Sequence, residues 1–145
     1  MLAANHLIRK RERGGEAPID TLTLDCDARH LRRARVTTDS GRDILIDLAE
    51  AVFLQNGDAL AVEGGLIEIR AAAEALFEIK TADALSLARL AFHLGNRHTA
   101  AELTAEAIYI QPDNVLKQMA EGLGASVTAV SRAFQPEAGA YGHAH

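Results

Sequence analysis

The period of the hydrophobic pattern changes near Ala71, and this limits the chain to two dissimilar halves. Strand side chains alternate with period 2 and helix side chains recur with period 3.6, so a chain that switches from one rhythm to the other changes architecture at that point. From about Ala17 to Arg70, short apolar runs are separated by turn signals. Ala34–Thr38 leads through Asp39-Ser40-Gly41, where glycine can take positive φ, into Ile44–Leu48, which reads as a hairpin. Ala59–Val62 and Leu66–Arg70 flank Gly64-Gly65 and read as a second hairpin, preceded by the turn Asn56-Gly57-Asp58. This half is predicted to be all-β, a small sandwich or open barrel.

Beyond Ala71 the spacing predicts a strand over Leu76–Lys80, then a helix capped by Thr81 or Asp83, with Leu87, Leu90, Ala91 and Leu94 as its buried stripe. Gly95 is the expected stop. Two short extended runs follow, around Ala100–Leu103 and Ala105–Ile110. Pro112 and Asp113 open a second helix with the stripe Leu116, Met119, Ala120 and Leu123, closed by Gly124, and Ser126–Arg132 reads as a last strand. The order β-α-β-β-α-β is the split βαβ arrangement of ferredoxin-like domains. The fold class is therefore α+β: an all-β domain over residues 1–71, a ferredoxin-like domain over 72–136, and a flexible tail over 137–145.

Composition narrows the function. Hydrophobic residues make up 48% and charged residues 24%, so the chain can bury a core; aromatics are only 4%, with no Trp, so aliphatic packing must supply the stability and base-stacking platforms are scarce. Cys26 is the only cysteine, which excludes an internal disulfide or a thiolate-pair metal site. No apolar run approaches the ~20 residues that span a bilayer, and Met1–Lys10 lacks a signal-peptide core, so the expected compartment is the cytoplasm, with no membrane partner. The net charge of −5 is unevenly spread: residues 1–42 hold 9 of the 15 basic and 6 of the 20 acidic side chains. Acidic residues are interspersed among Arg9, Lys10, Arg11, Arg13, Arg29, Arg32, Arg33 and Arg35, so this third reads as a solvated or acid-binding surface rather than a nucleic-acid one.

No serine, carboxylate pair or glycine loop forms a recognisable catalytic arrangement, which points away from an enzyme. The histidines say more. His6 and His30 have no partner at ligand spacing, and His93 near a helix end suits a structural role beside the C-terminal dipole. His98 falls in the loop Gly95-Asn96-Arg97-His98, free to face a neighbouring molecule. Gly142-His143-Ala144-His145 places two imidazoles on a chain end, both able to approach one ion if the backbone is extended. Neutral imidazole suits nickel, copper and zinc without choosing among them. A two-fold axis that brought His98 of two subunits to one ion, with tail histidines completing the shell, would make an exposed and exchangeable site of the kind a carrier needs.

Several strings carry a resemblance. Phe92-His93-Leu94-Gly95-Asn96-Arg97-His98, then Pro112-Asp113-Asn114-Val115-Leu116, then Phe134-Gln135-Pro136-Glu137-Ala138-Gly139-Ala140-Tyr141-Gly142-His143 resemble the UreE urease accessory proteins. The match runs in order through the C-terminal half; the N-terminal half agrees mainly through Ser40-Gly41-Arg42-Asp43 and its β character. The resemblance implies a β domain linked to chaperone-like peptide binding, joined to a ferredoxin-like domain that binds metal and dimerises. It makes His98 the shared nickel ligand of a homodimer and His143 and His145 tail ligands. Some relatives carry a histidine after the aspartate opening the second helix, where this chain has Asn114.

The expected function is that of a nickel metallochaperone, with zinc or copper accepted in vitro. Its partners would be a urease-associated GTPase and the urease apoprotein complex, in the assembly of which it takes part. The alternative is a client- or peptide-binding chaperone module in which metal is incidental. An RNA-binding reading of the ferredoxin-like half would want aromatics on the central strands, where only Tyr109 is available.

Overall fold

The computed structural model describes residues 1–138. The chain forms two compact units, Met1–Ala72 and a second beginning at Ala73.

In the first unit the strands are β1 (Leu2–Ala4), β2 (His6–Ile8), β3 (Asp20–Leu24), β4 (His30–Thr37), β5 (Asp43–Phe53), β6 (Ala59–Val62) and β7 (Gly65–Ala71). They make two sheets, β1-β5-β4 and β2-β6-β7-β3. Alternation along the strands sends Ile44, Ile46 and Leu48 of β5 and Ile67 and Ile69 of β7 into one shared core with Ala4, Leu22, Leu54 and Leu60. This is the sandwich solution to burying two one-sided sheets. Both expected hairpins form, β4 with β5 and β6 with β7. The first ten residues, not read as strands from sequence, supply β1, which pairs parallel to β5, and β2, which pairs antiparallel to β6.

Polar lacing joins the two sheets at the β4–β5 turn. Asp39 of the turn accepts the hydroxyls of Thr21 (2.6 Å) and Thr23 (2.7 Å) on β3, while Asp20 of β3 accepts those of Thr38 (2.6 Å) and Ser40. The Ser40 and Thr38 hydroxyls hold the Asp20 carboxyl down at about 2, and those of Thr21 and Thr23 lower Asp39. Because the folded Asp20 pKa lies below its unfolded value near 4, the unfolded chain takes the proton more readily. The stabilisation is fully present above pH ~4 and is lost as pH falls toward ~2. A Ser40→Ala variant is expected to move the Asp20 titration, followed by carboxyl NMR shifts, upward toward the ordinary range. An unmoved titration would show that the hydroxyl does not set it.

The second unit is β8 (Ala73–Lys80), α1 (Ala84–Asn96), β9 (Glu102–Leu103), β10 (Ile108–Ile110), α2 (Asn114–Gly122) and β11 (Ser126–Ala133). The sheet order is β11-β8-β10-β9 with every neighbour antiparallel, the ferredoxin-like topology. Leu87, Leu90 and Leu94 of α1 and Leu116 and Ala120 of α2 pack on Ile79, Ile108 and Ile110. Both helices start as the sequence reading expects. Asp83 accepts from the Ser86 N–H (2.7 Å), and Asp113 accepts from Val115 (2.9 Å) and Leu116 (3.0 Å).

Further details differ from the sequence reading, among them Leu123, expected in the buried stripe of α2 but 53% exposed just past its end. The extended runs before α2 shrink to β9 and β10, because Thr104 and Ala107 bond to each other across a turn instead of continuing strands. Arg29, read as part of a solvated basic surface, is fully buried with its guanidinium over the Phe53 ring, 5.1 Å from its centre.

Candidate metal centre

Gly95 does not stop α1; the helix continues through Asn96, and the residue that takes the left-handed conformation is His98, at φ 56°. The His98 N–H donates to the Gly95 carbonyl (3.1 Å) and the Thr99 N–H to that of Leu94 (3.2 Å). These are the paired bonds of a Schellman motif with His98 in the position that glycine usually fills. α2 closes with the same pair of bonds, Gly124 to Glu121 and Ala125 to Ala120, and there the left-handed residue is a glycine, φ 90°. Among the described residues, His98 is the only non-glycine at positive φ. The same backbone geometry thus carries an imidazole at one helix end and no side chain at the other.

The His98 side chain is exposed, at the mouth of a shallow depression shared with Thr99, Gln111 and Asp113. Asn114 begins α2 next to Asp113 and is exposed. Among the described residues no three His, Cys, Asp or Glu side chains are grouped as a metal site. An ion held at His98 therefore needs ligands from outside those residues. His143 and His145 lie outside the described residues.

The start of the tail is anchored on Ala101 and Glu102, in the segment that follows His98. Glu102 accepts from Arg132 Nη2 (2.7 Å) and the Gln135 N–H (2.9 Å), and the Glu137 N–H donates to the Ala101 carbonyl (2.8 Å). Phe134 is fully buried just before this anchor. The partners of Glu102 are distant in the chain, so no local pattern announces them.

The remaining described histidines have settings of their own. His6 is exposed on β2, and His30 stacks on Phe53 with ring centroids 4.3 Å apart. His93 is exposed within α1, edge-on to Phe92. Tyr109 offers no platform for a base: its hydroxyl donates to Glu78 (2.8 Å), and the Arg132 guanidinium covers its ring at 3.7 Å.

A β-sandwich unit followed by a ferredoxin-like unit that ends its first helix on an exposed, left-handed histidine defines a two-domain α+β protein with an open imidazole site. Family models agree with this division: the UreE urease accessory protein N-terminal domain matches residues 4–72, and the UreE C-terminal domain matches residues 74–145. The chain is 47% identical over 142 residues to a urease accessory protein UreE of Azorhizobium caulinodans, covering 97% of this chain and 68% of that one. It is 52% identical over 132 residues to the protein of that name from Agrobacterium fabrum, covering 90% and 81%, and 53% identical over 129 residues to that of Rhizobium rhizogenes, covering 88% and 77%. The chain belongs to the UreE family of urease accessory proteins. It is an accessory protein and not an enzyme.

Proposed function

We propose that this protein is a nickel metallochaperone that works as a homodimer in the cytoplasm and passes its ion to the urease maturation complex through a urease-associated GTPase and the urease apoprotein complex. The observation that carries the reading is His98, an exposed imidazole placed where backbone geometry favours glycine. Strained conformations of this kind persist where surrounding structure holds them and cluster at functional sites.

Pairing of two chains is supported by α1. Opposite its buried stripe it exposes Leu85 (60%) and Phe92 (67%), two turns apart on one face. A helix apolar on both sides calls for a second cover, which another copy of α1 supplies across a two-fold axis. An axis that runs along this face and on past the C-terminal end of α1 brings two His98 rings to one divalent cation. His143 and His145 complete the shell and leave it open enough for exchange. Imidazole ligands also accept zinc and copper, so competition among the three ions in vitro is expected.

Equilibrium dialysis with nickel tests the assignment. Loss of groups that only support a ligand already weakens metal binding ~10–100-fold, so His98→Ala is expected to weaken it by more than ~100-fold. Equal affinity and stoichiometry in the two proteins would remove His98 from the site.

A further inference from the structure

Strand β4 is the outer strand of the β1-β5-β4 sheet, and its backbone orientation follows from its pairing. The Thr38 N–H donates to the Arg42 carbonyl at 2.7 Å, so Thr38 faces β5. In an antiparallel ladder, residues that exchange backbone bonds alternate with residues that do not. The register Val36↔Ile44 and Ala34↔Ile46 therefore turns the amides of Val36 and Ala34 toward β5, and leaves those of Thr37, Arg35 and Arg33 turned to the open edge. The Thr37 hydroxyl reaching Asp43 at 2.9 Å fits this phase, since side chains approach most closely in the pairs without backbone bonds.

The residues with outward amides also carry the charge. Arg33 and Arg35 are exposed, and the register shift between Leu31 and Arg33 leaves Arg32 exposed as well. Arg9, Arg13, Arg70 and Arg132 each hold a carboxylate, whereas Arg32, Arg33 and Arg35 make no ion pair among the described residues. The edge thus offers free hydrogen-bonding groups flanked by unneutralised guanidiniums.

We infer that β4 is a docking edge for an extended acidic segment of a partner protein, which adds as a further strand with Asp or Glu at alternate positions opposite Arg33 and Arg35. Main-chain bonds at such an edge supply affinity, and alternate side chains supply selection. Opposite charges directly across a sheet attract and like charges repel, so a second β4 is the wrong occupant: it would set arginine against arginine. Single-stranded nucleic acid uses exposed aromatic faces, and the one ring on β4, His30, is stacked on Phe53. The inference goes beyond nickel carriage and involves no metal, so its failure and that of the metal site are separable.

The test is fluorescence anisotropy of the full chain with labelled synthetic peptides in metal-free buffer. One peptide alternates Thr and Glu, a second has the same composition with its glutamates in one block, and a third is the alternating peptide N-methylated on every other amide. A few hydrogen bonds of ~1 kcal/mol each make the alternating peptide bind about tenfold or more tighter than the methylated one. It should also bind more tightly than the blocked one. Proline removes only an N–H, which an outward edge position tolerates, so Arg35→Pro should bind more weakly than Arg35→Ala. Reversing both charges, Arg33→Glu with Arg35→Glu, should transfer the preference to an alternating Thr-Lys peptide. Equal binding of the alternating, blocked and methylated peptides, which needs no folded variant, would overturn strand addition. Displacement of the alternating peptide by a single-stranded oligonucleotide at lower concentration would overturn the choice of partner.

Discussion

A His98→Gly variant without metal should unfold at higher urea than the wild-type chain, by about 1 kcal/mol, while binding nickel no better than His98→Ala. An L-residue in the left-handed region costs roughly 1–2 kcal/mol, and His98 sits there at φ 56°. Glycine adopts that conformation without the Cβ clash but loses ~0.4–1 kcal/mol through the greater freedom of the unfolded chain, so the net gain is modest. α2 already carries this solution in Gly124. Alanine at position 98 keeps the clash and removes only the imidazole, so it should be no more stable than wild type. Nickel should reverse the order. At a free concentration ~100 times its Kd, an ion bound only by the folded form adds ~2.7 kcal/mol to the wild type. It should add little to His98→Gly. Urea melts of the three proteins with and without nickel check both halves. If the metal-free glycine variant is the less stable, His98 has a structural role and the strain argument fails; if nickel stabilises the glycine variant as much as wild type, the ion binds elsewhere.

The two helices were legible because helix periodicity is local. Leu87, Leu90 and Leu94, and Leu116 and Ala120, are the residues that face the sheet, and Asp83 and Asp113 are the caps. The ferredoxin-like topology followed from the order of elements. What stayed hidden depends on partners far along the chain. Leu2–Ala4 and His6–Ile8 are too short for an alternation to stand out; they are strands because Ile44–Ile46 and Ala59–Ala61 lie beside them. Arg29 reads as one more surface cation until Phe53 is placed against it. At the site, His98 was legible as an exposed loop imidazole, but not its backbone: Gly95 looked like the stop, and only the bonds of His98 and Thr99 to Gly95 and Leu94 locate the left-handed residue. The anchor that holds the start of the tail rests on Glu102, Arg132 and Gln135, which a local pattern cannot connect.

Asp58→Ala should destabilise the β-sandwich by about 1–3 kcal/mol, the usual cost of taking a charged acceptor away from its hydrogen-bond donors. Asp58 is 2% exposed, and both its oxygens are engaged. Oδ1 accepts from the Lys10 N–H (2.9 Å), and Oδ2 from the Gln55 N–H (2.9 Å) and the Arg9 guanidinium (2.8 Å). Its backbone is used too, since the Ile69 N–H donates to the Asp58 carbonyl at 2.8 Å. One side chain thus ties the turn before β6 to the segment just after β2. Alanine would leave two amides and a guanidinium without their acceptor; Lys10 and Gln55 are themselves exposed, so water takes over part of this bonding. Arg9 is one-third exposed and can turn to water, so its share of the loss is the smallest. Asp58→Asn separates charge from shape: it keeps the size and one acceptor oxygen but sets an NH2 against donors, so it should recover only part of the loss. Urea unfolding, with hydrogen exchange at Lys10 and Gln55 as the local readout, measures both. A loss below ~1 kcal/mol in the alanine variant would mean that water replaces the carboxylate and the network contributes little to holding the two segments together.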